Sequence, residues 1–151
     1  MNHRLQLAAA DNLPQLLPLV EAYHRFEDID MTNRARQQAI EHLLSDSSLG
    51  SIWLILSDTE IAGYIALTFG YSIEFGGQDA FIDELYIRPE FRSQGLGEKT
   101  LDQIQQTAKD FNIKALHLEV ARQNTAAQKL YTQANFQPRD KYMLMSAHLA
   151  S

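Results

Sequence analysis

Three apolar, strand-like stretches follow one another in the middle of the chain, and they constrain the fold more than any other feature. Residues 51–57 read as a strand, the S-D-T-E segment after them as a hairpin turn, and residues 61–73 as a long second strand. Residues 81–87 form a third strand, which Pro89 ends. The short turns between these stretches predict antiparallel neighbours in one sheet.

Helical patterns lie on both sides of this block. Before it, an alternating strand at 4–8 precedes a helix that Asp11 caps and that runs to about Phe26, and a second helix begins near Thr32. After it come a third helix at about 97–111, a strand at 114–120, a fourth helix capped by Asn124, and a final strand at 141–149. This order predicts an α/β (α+β) fold around one mixed sheet.

Composition narrows the classes of function. A length of 151 residues suits one domain over 1–151, and a net charge of −6 without a Lys/Arg cluster argues against nucleic-acid binding. The chain has no cysteine, and its five histidines lack close ligand spacing, so we expect no metal site. No apolar run resembles a signal peptide or a membrane span, which predicts a cytoplasmic protein without a membrane partner.

The segment R-S-Q-G-L-G-E-K-T at residues 92–100 lies between a strand and a helix and is typical of a phosphate-binding turn. A P-loop is disfavoured, because Lys99 is one residue out of register and Arg92 stands where a glycine is needed. A dinucleotide fingerprint is also disfavoured, because Thr100 occupies the third glycine position. The residues alone leave two readings open: a bound pyrophosphate, or a tight turn without a ligand.

Two linked motifs resolve this choice by resemblance. F-I-D-E-L-Y-I-R-P-E-F-R-S-Q-G-L-G (81–97) and L-E-V-A-R-Q-N-T-A-A-Q-K-L-Y-T-Q-A-N-F (118–136) resemble the acetyl-CoA-binding core of the GNAT N-acetyltransferase superfamily. The resemblance covers most of the chain from Trp53 onward, with two departures: Ser93 where glycine is commoner, and Asn135 in place of the usual glycine before Phe136. It implies the GNAT fold, a largely antiparallel central sheet with helices on both faces, and acetyl-CoA as co-substrate.

The resemblance also implies residue roles. Backbone groups of 85–87 would pair with the pantetheine arm and supply an oxyanion donor, and the amides of 93–98 would hold the pyrophosphate. Tyr131 would protonate the departing thiolate, and Asn124 would contact the pantetheine or cap its helix. The cofactor-binding residues predicted in this way are Leu85, Tyr86, Ile87, Arg92, Ser93, Gln94, Gly95, Leu96, Gly97, Glu98, Asn124, Ala127 and Tyr131.

Transfer to an amine requires a proton acceptor. An ammonium with a pKa near ~10.4 is neutral in only about one molecule in 2,500 at pH 7. Asp83 and Glu84 are the predicted bases, acting directly or through water, and Glu119 is a further candidate. In a regular strand, Asp83 and Glu84 face opposite sides. Asp83 would share its side with Phe81, Leu85 and Ile87, and Glu84 would share the other with Ile82 and Tyr86. At most one of the two carboxylates would then face the acceptor, unless a bulge intervenes.

The acceptor side is predicted from an aromatic and acidic segment at 21–31, which suits a cationic amine through charge and cation–π contacts. A solvated helix end is an equally good interpretation of this segment. The substrate-binding residues predicted are Tyr23, Phe26, Glu27 and Glu74.

The resulting prediction is an acetyl-CoA-dependent N-acetyltransferase that acts by direct transfer in a ternary complex. The acceptor is a primary amine, small and polyamine-like or lysine-like, or carried by a peptide. One alternative is a non-catalytic acyl-CoA-binding or regulatory module on the same fold, and another is an unrelated α/β nucleotide-binding protein. Because homodimers are common among proteins that this chain resembles, a homodimer is also predicted.

Overall fold

The computed structural model describes residues 2–149. In chain order its elements are β1 His3–Leu7, α1 Leu13–Phe26, α2 Asn33–Ser45, β2 Gly50–Ser57, β3 Glu60–Ser72, β4 Gly77–Ile87, α3 Leu96–Asp110, β5 Leu116–His117 and α4 Thr125–Gln133, with single 3₁₀ turns at Ala10–Asn12 and Pro89–Phe91. The four helices and the first four strands lie within a few residues of their predicted positions.

The strands form one sheet in the order β1-β2-β3-β4-β5. All neighbouring pairs are antiparallel except β4 and β5, which are parallel. That last ladder is very short, with Ala80 opposite Leu116 and Phe81 opposite His117. From Ile82 to the end of β4 the two strands separate, so this part of β4 has a paired edge toward β3 and an open edge on the other side.

Helices cover both faces of the sheet, as the resemblance implied. On one face α1 and α2 bury a cluster that includes Leu16, Val20 and Ile40 against Leu54 and Tyr64 of the sheet. On the other face α3 contributes Leu101 and Ile104, which pack on Ile65, Leu67 and Ile82, and the partly buried Leu130 and Tyr131 of α4 pack against them. The β4–β5 opening therefore lies between two helical layers.

Capping hydrogen bonds fix both ends of α4, the helix that borders this opening. Asn124 Oδ1 accepts a hydrogen bond from the Ala127 amide at 3.1 Å, which confirms it as the cap of α4. Asn135, which stands in place of the usual glycine, has φ 75°, a left-handed conformation that suits glycine or asparagine after a helix. Its amide bonds to Thr132 O at 3.1 Å, and the Phe136 amide bonds to Tyr131 O at 3.0 Å, so α4 closes in a Schellman motif.

Strand β4 carries a bulge at the position of the predicted bases. Ala66 pairs with Glu84 and Leu67 with Ile82, so Asp83 has no partner across the ladder. The extra residue reverses the alternation: Ile82 packs toward α3, whereas Tyr86 packs toward α1 and Glu84 reaches His24 of that helix. The expectation that Glu84 shares a face with both Ile82 and Tyr86 is therefore wrong for Ile82.

The strand predictions after α3 were too long. The strand predicted at 114–120 shrinks to Leu116–His117, because β4 turns away from it beyond Phe81. The predicted final strand at 141–149 is wrong, since residues 142–149 form neither strand nor helix. Its apolar residues Met143, Met145 and Leu149 are exposed, so this alternating pattern is not buried against the sheet.

Candidate active site

A cavity of about 1010 Å³ occupies the space where β4 and β5 separate. Its walls come from the open edge of β4, the C-terminal end of α1, the loop before α3, and the first turns of α4. The predicted site residues that line it are Tyr23, Phe26, Glu27, Asp83, Glu84, Leu85, Tyr86, Ile87, Arg92, Ser93, Gly95, Leu96, Gly97, Glu98, Glu119, Asn124, Ala127 and Tyr131.

Two of the predicted site residues, Gln94 and Glu74, do not line this cavity. The Gln94 side-chain amide donates to Glu90 O at 3.3 Å, so it bonds within its own loop. Glu74 lies in the β3–β4 turn, ten residues before Glu84, and its carboxylate pairs with Arg139 at 2.8 Å. Glu74 does not line this cavity, because a long hairpin carries the turn away from the open end of β4.

The loop before α3 has the geometry of an anion site. Gly95 adopts φ 80° as the N-terminal cap residue of α3, with no side-chain hydrogen bond to the first turn. Ser93, where glycine is commoner, also has a positive φ of 62°. The first amides of a helix have no partner within it and sit at the positive end of its dipole. They are available to a phosphate-bearing ligand.

Arg92 connects this loop to the acceptor-side helix. Its Nε donates to Ile87 O at 2.8 Å. Its guanidinium lies 5.8 Å from the ring centre of Phe26 and 5.6 Å from that of Tyr86. The end of α1 is thereby held against the glycine loop by cation–π contacts.

The two carboxylates at the bulge have different surroundings. Glu84 accepts from Tyr64 at 2.7 Å through Oε1 and meets His24 Nε2 at 2.7 Å through Oε2. Asp83 makes no side-chain hydrogen bond within residues 2–149. Partial burial raises the pKa of the Asp83 carboxyl above its ordinary value. A carboxylate with a raised pKa is a better proton acceptor.

Tyr131 faces the cavity from α4, and packing fixes its orientation. Its ring meets Phe136 edge-on at 6.1 Å, the contact that accompanies the Schellman motif. Burial raises the pKa of the Tyr131 hydroxyl, and the nearby Glu27 adds to the shift. Burial likewise raises the pKa of Tyr23, followed by smaller contributions from Glu27, Glu84 and others. Both phenols are therefore proton donors at neutral pH.

The sequence did not predict three residues that hydrogen bonds link to Glu84: His24, Arg36 and Tyr64. His24 lies four residues after Val20 and Arg36 four before Ile40, so each occupies an apolar stripe of its helix. A polar residue at a buried position on each of two neighbouring helices was the available signal. Tyr64 gave none, since a tyrosine is ordinary in a buried strand.

Residues 2–149 contain neither a cluster of metal-ligating side chains nor a membrane-spanning helix. Among residues 2–149 no three His, Asp or Glu side chains come together in a way that could hold a metal ion. None of the described helices combines the length and apolar character needed to cross a bilayer.

Comparison with known sequences gives a family match and similar proteins. Residues 13–136 match the family model described as Acetyltransferase (GNAT) family. A thialysine N-epsilon-acetyltransferase of Bos taurus is 32% identical over 71 residues, which cover 47% of this chain and 41% of that protein. A candidate ribosomal protein bS18-alanine N-acetyltransferase of Bacillus subtilis is 29% identical over 123 residues, covering 76% and 78%. The chain thus spans less than half the length of the bovine relative.

Solved structures resemble the whole fold. An integron cassette protein from the mobile metagenome of Cole Harbour Salt Marsh is 32% identical, with a TM-score of 0.85 over 97% of this chain and 91% of that one. A predicted acetyltransferase from Clostridium acetobutylicum, solved with acetyl-CoA, is 18% identical, with a TM-score of 0.77 over 96% of both chains. At 18% identity, the likeness to the Clostridium acetobutylicum protein shows a shared fold alone.

Proposed function

The chain belongs to the GNAT family of acetyltransferases and is an N-acetyltransferase, and we propose that it transfers the acetyl group of acetyl-CoA directly to a primary amine that is small and cationic, lysine-like or polyamine-like. One observation carries this proposal. A single cleft contains an open strand edge, a helix N-terminus behind a glycine turn, a partly buried carboxylate on a bulge and a partly buried tyrosine.

The cleft fits acetyl-CoA, which supplies an activated acyl group when bound. The open edge of β4 offers backbone groups of residues 85–87 to an extended pantetheine arm, in the manner of an added strand. The first turn of α3 offers its amides to the pyrophosphate, with Arg92 beside it. Asn124 and Ala127 lie on the α4 wall of the same cavity, where they would flank the arm.

Asp83 and Tyr131 divide the proton transfers between them. Asp83 has a raised pKa and no competing side-chain bond from residues 2–149, so it takes the proton of the acceptor's ammonium directly or through a water molecule. Glu84, with both oxygens held, supplies a fixed negative charge that attracts the ammonium. Tyr131 keeps its proton at neutral pH and gives it to the departing thiolate.

The acceptor enters past the end of α1. Tyr23, Phe26 and Glu27 line that side of the cavity, and Glu27 is close enough to Tyr131 and Tyr23 to influence the pKa of both hydroxyls. An aromatic wall with one carboxylate suits a cationic amine. The relatives with named activities act, by their names, on thialysine and on a ribosomal-protein alanine, which are both amines. Cytoplasmic location and a homodimer stay predictions from the sequence.

The decisive experiment measures thiol release from acetyl-CoA with a panel of cationic, neutral and anionic amines. We expect turnover with lysine-like or polyamine-like acceptors. Tyr131→Phe should lower kcat by roughly 100-fold, the usual contribution of a positioned acid. Tyr71→Phe, on an exposed tyrosine of β3 outside the cavity, is the matched control and should behave as the wild type.

Three results would contradict parts of this proposal. Calorimetric binding of acetyl-CoA without thiol release would favour the non-catalytic acyl-CoA-binding alternative. Turnover confined to neutral or anionic amines would reject the cationic acceptor. An unchanged rate and pH–rate profile in Tyr131→Phe would remove that hydroxyl from the mechanism.

A further inference from the structure

A chain of hydrogen bonds runs from α2 through α1 to the carboxylates on β4. Arg36, 5% exposed, donates from Nε to His24 Nδ1 at 3.0 Å. His24, also 5% exposed, meets Glu84 Oε2 at 2.7 Å through its other nitrogen. The fully buried Tyr64 donates to Glu84 Oε1 at 2.7 Å. Glu84 is thus held at both oxygens by groups from two other elements.

The donors in this series of hydrogen bonds determine which atoms carry protons. A guanidinium has only donors, so His24 Nδ1 accepts from Arg36 and carries no hydrogen. The neutral imidazole therefore has its proton on Nε2 and donates it to Glu84. Burial, followed by Glu84, raises the pKa of the Tyr64 hydroxyl far above its ordinary value, so Tyr64 is also a donor. Two donors converging on one carboxyl are the pattern of an ionised carboxylate.

Arg36 has no direct carboxylate partner among the ion pairs of residues 2–149. Its remaining nitrogens donate to Asn33 Oδ1 and, at 3.1 Å, to the carbonyl of Met31, which lies just before α2. A buried guanidinium is costly unless hydrogen bonds and a nearby anion compensate for its lost hydration. Within the described residues, the hydrogen bonds of Arg36 lead to an anion through the imidazole of His24, and that anion is Glu84.

We propose that His24 and Arg36 are positioning residues for acetyl transfer: Arg36 selects the Nε2–H form of His24, and His24 together with Tyr64 holds Glu84 in one orientation beside Asp83. This inference rests on the proposed function, because it takes the β4 carboxylates to act on the acceptor amine. It explains how two adjacent carboxylates can have separate roles. Glu84 is immobilised as a charge, while Asp83 keeps its oxygens available for a proton.

Substitutions at His24 separate its hydrogen bonds from its bulk. His24→Gln keeps one acceptor and one donor about as far apart as the two ring nitrogens, so we expect kcat within a few-fold of the wild type. His24→Leu fills similar space without either hydrogen bond and should lower kcat by up to about 100-fold, because a shift of the Glu84 charge by about an ångström misaligns the acceptor amine with Asp83 and the acetyl group. The KM for the amine should change less than kcat. Arg25→Ala, on the exposed face of the same helix, is the matched control and should leave both constants unchanged.

A spectroscopic measurement tests the arrangement without using activity. Nitrogen-15 spectra of the His24 ring at pH 8 should show the proton on Nε2 in the wild type and a loss of that preference in Arg36→Met. Circular dichroism and a thermal melt establish whether each variant is folded.

The results distinguish this inference from the proposed function. A proton on Nδ1 in an active wild-type enzyme, or a folded His24→Leu with undiminished kcat, overturns the inference alone. A wild-type protein that releases no thiol with any amine overturns the proposed function, and the positioning role falls with it even if the Nε2–H form is observed.

Discussion

Removing one buried hydroxyl tests the carboxylate network most directly. In Tyr64→Phe the aromatic ring remains in a fully buried position, while Glu84 Oε1 loses its 2.7 Å donor. A hydrogen bond to a charged group contributes about 1.5–3 kcal/mol to stability. Because the Glu84 side chain is 19% exposed, water can replace part of the lost bond, and we expect a loss near ~2 kcal/mol.

The measurement is equilibrium unfolding in urea. A loss of ~2 kcal/mol reduces the folding equilibrium constant by a factor of about 30, and for a chain of this length it lowers Tm by roughly 4–8 °C. The urea midpoint should fall without a change in the slope of the free energy of unfolding. Tyr71→Phe, on an exposed tyrosine of the same strand, should stay within about 0.5 kcal/mol of the wild type.

A double-mutant cycle assigns the loss to the right pair. Combining Tyr64→Phe with Glu84→Gln should give a loss smaller than the sum of the single losses, because Tyr64→Phe removes the donor of this bond and Glu84→Gln removes the charge of its acceptor. A Tyr64→Phe protein as stable as the Tyr71→Phe control would refute the assignment of Tyr64 as a donor to Glu84.

Three further changes test other parts of the structure. Burial raises the pKa of Asp83, so protonated Asp83 stabilises the native state at pH values below the ordinary pKa of about 4, and this contribution is lost as pH rises through the raised pKa. Asp83→Asn should therefore raise the urea midpoint at pH 7 and not at pH 3. Equal shifts of the midpoint at both pH values would contradict the burial argument. Gly95→Ala should cost about 1–2 kcal/mol in thermal or urea unfolding, since the position has φ 80° with no atom within 4 Å of an added Cβ and the strain is that of the backbone alone; an unchanged stability would show that the turn relaxes. Glu74→Gln should leave the KM for the amine unchanged, because its pair with Arg139 lies outside the cavity; a raised KM in steady-state kinetics would bring Glu74 back to the acceptor site.

The network around Glu84 also shows why adjacent carboxylates were hard to rank before the fold was known. Regular alternation allows only one of Asp83 and Glu84 to face the acceptor, and a bulge leaves no mark in a local pattern of apolar and polar residues. Its position depends on how β3 and β4 align, with Ala66 opposite Glu84 and Leu67 opposite Ile82. The bulge places both carboxylates on the wall of one cavity.

Local chemistry within the chain itself determined most of the secondary structure and the motif that identifies the family. Helix periodicity, the cap at Asn124 and the glycine turn before α3 all depend on residues a few positions apart. For that reason the four helices, the four longer strands and the residues around the glycine turn could be predicted from sequence. The predicted cap at Asp11 is wrong, since Asp11 lies in the 3₁₀ turn before α1 and Asn12 occupies the cap position without a side-chain hydrogen bond.

Only the tertiary structure decided which polar groups meet. His24 and Glu84 are 60 residues apart and Tyr64 and Glu84 are 20 apart, so their hydrogen bonds exist only once α1, β3 and β4 have packed together. The same contrast holds for residues 141–149. Their alternating pattern predicted a strand, but residues 142–149 pair with no strand of the described sheet. Periodicity depends on each residue's near neighbours, whereas a ladder or a buried hydrogen bond needs a partner that distant parts of the chain must supply.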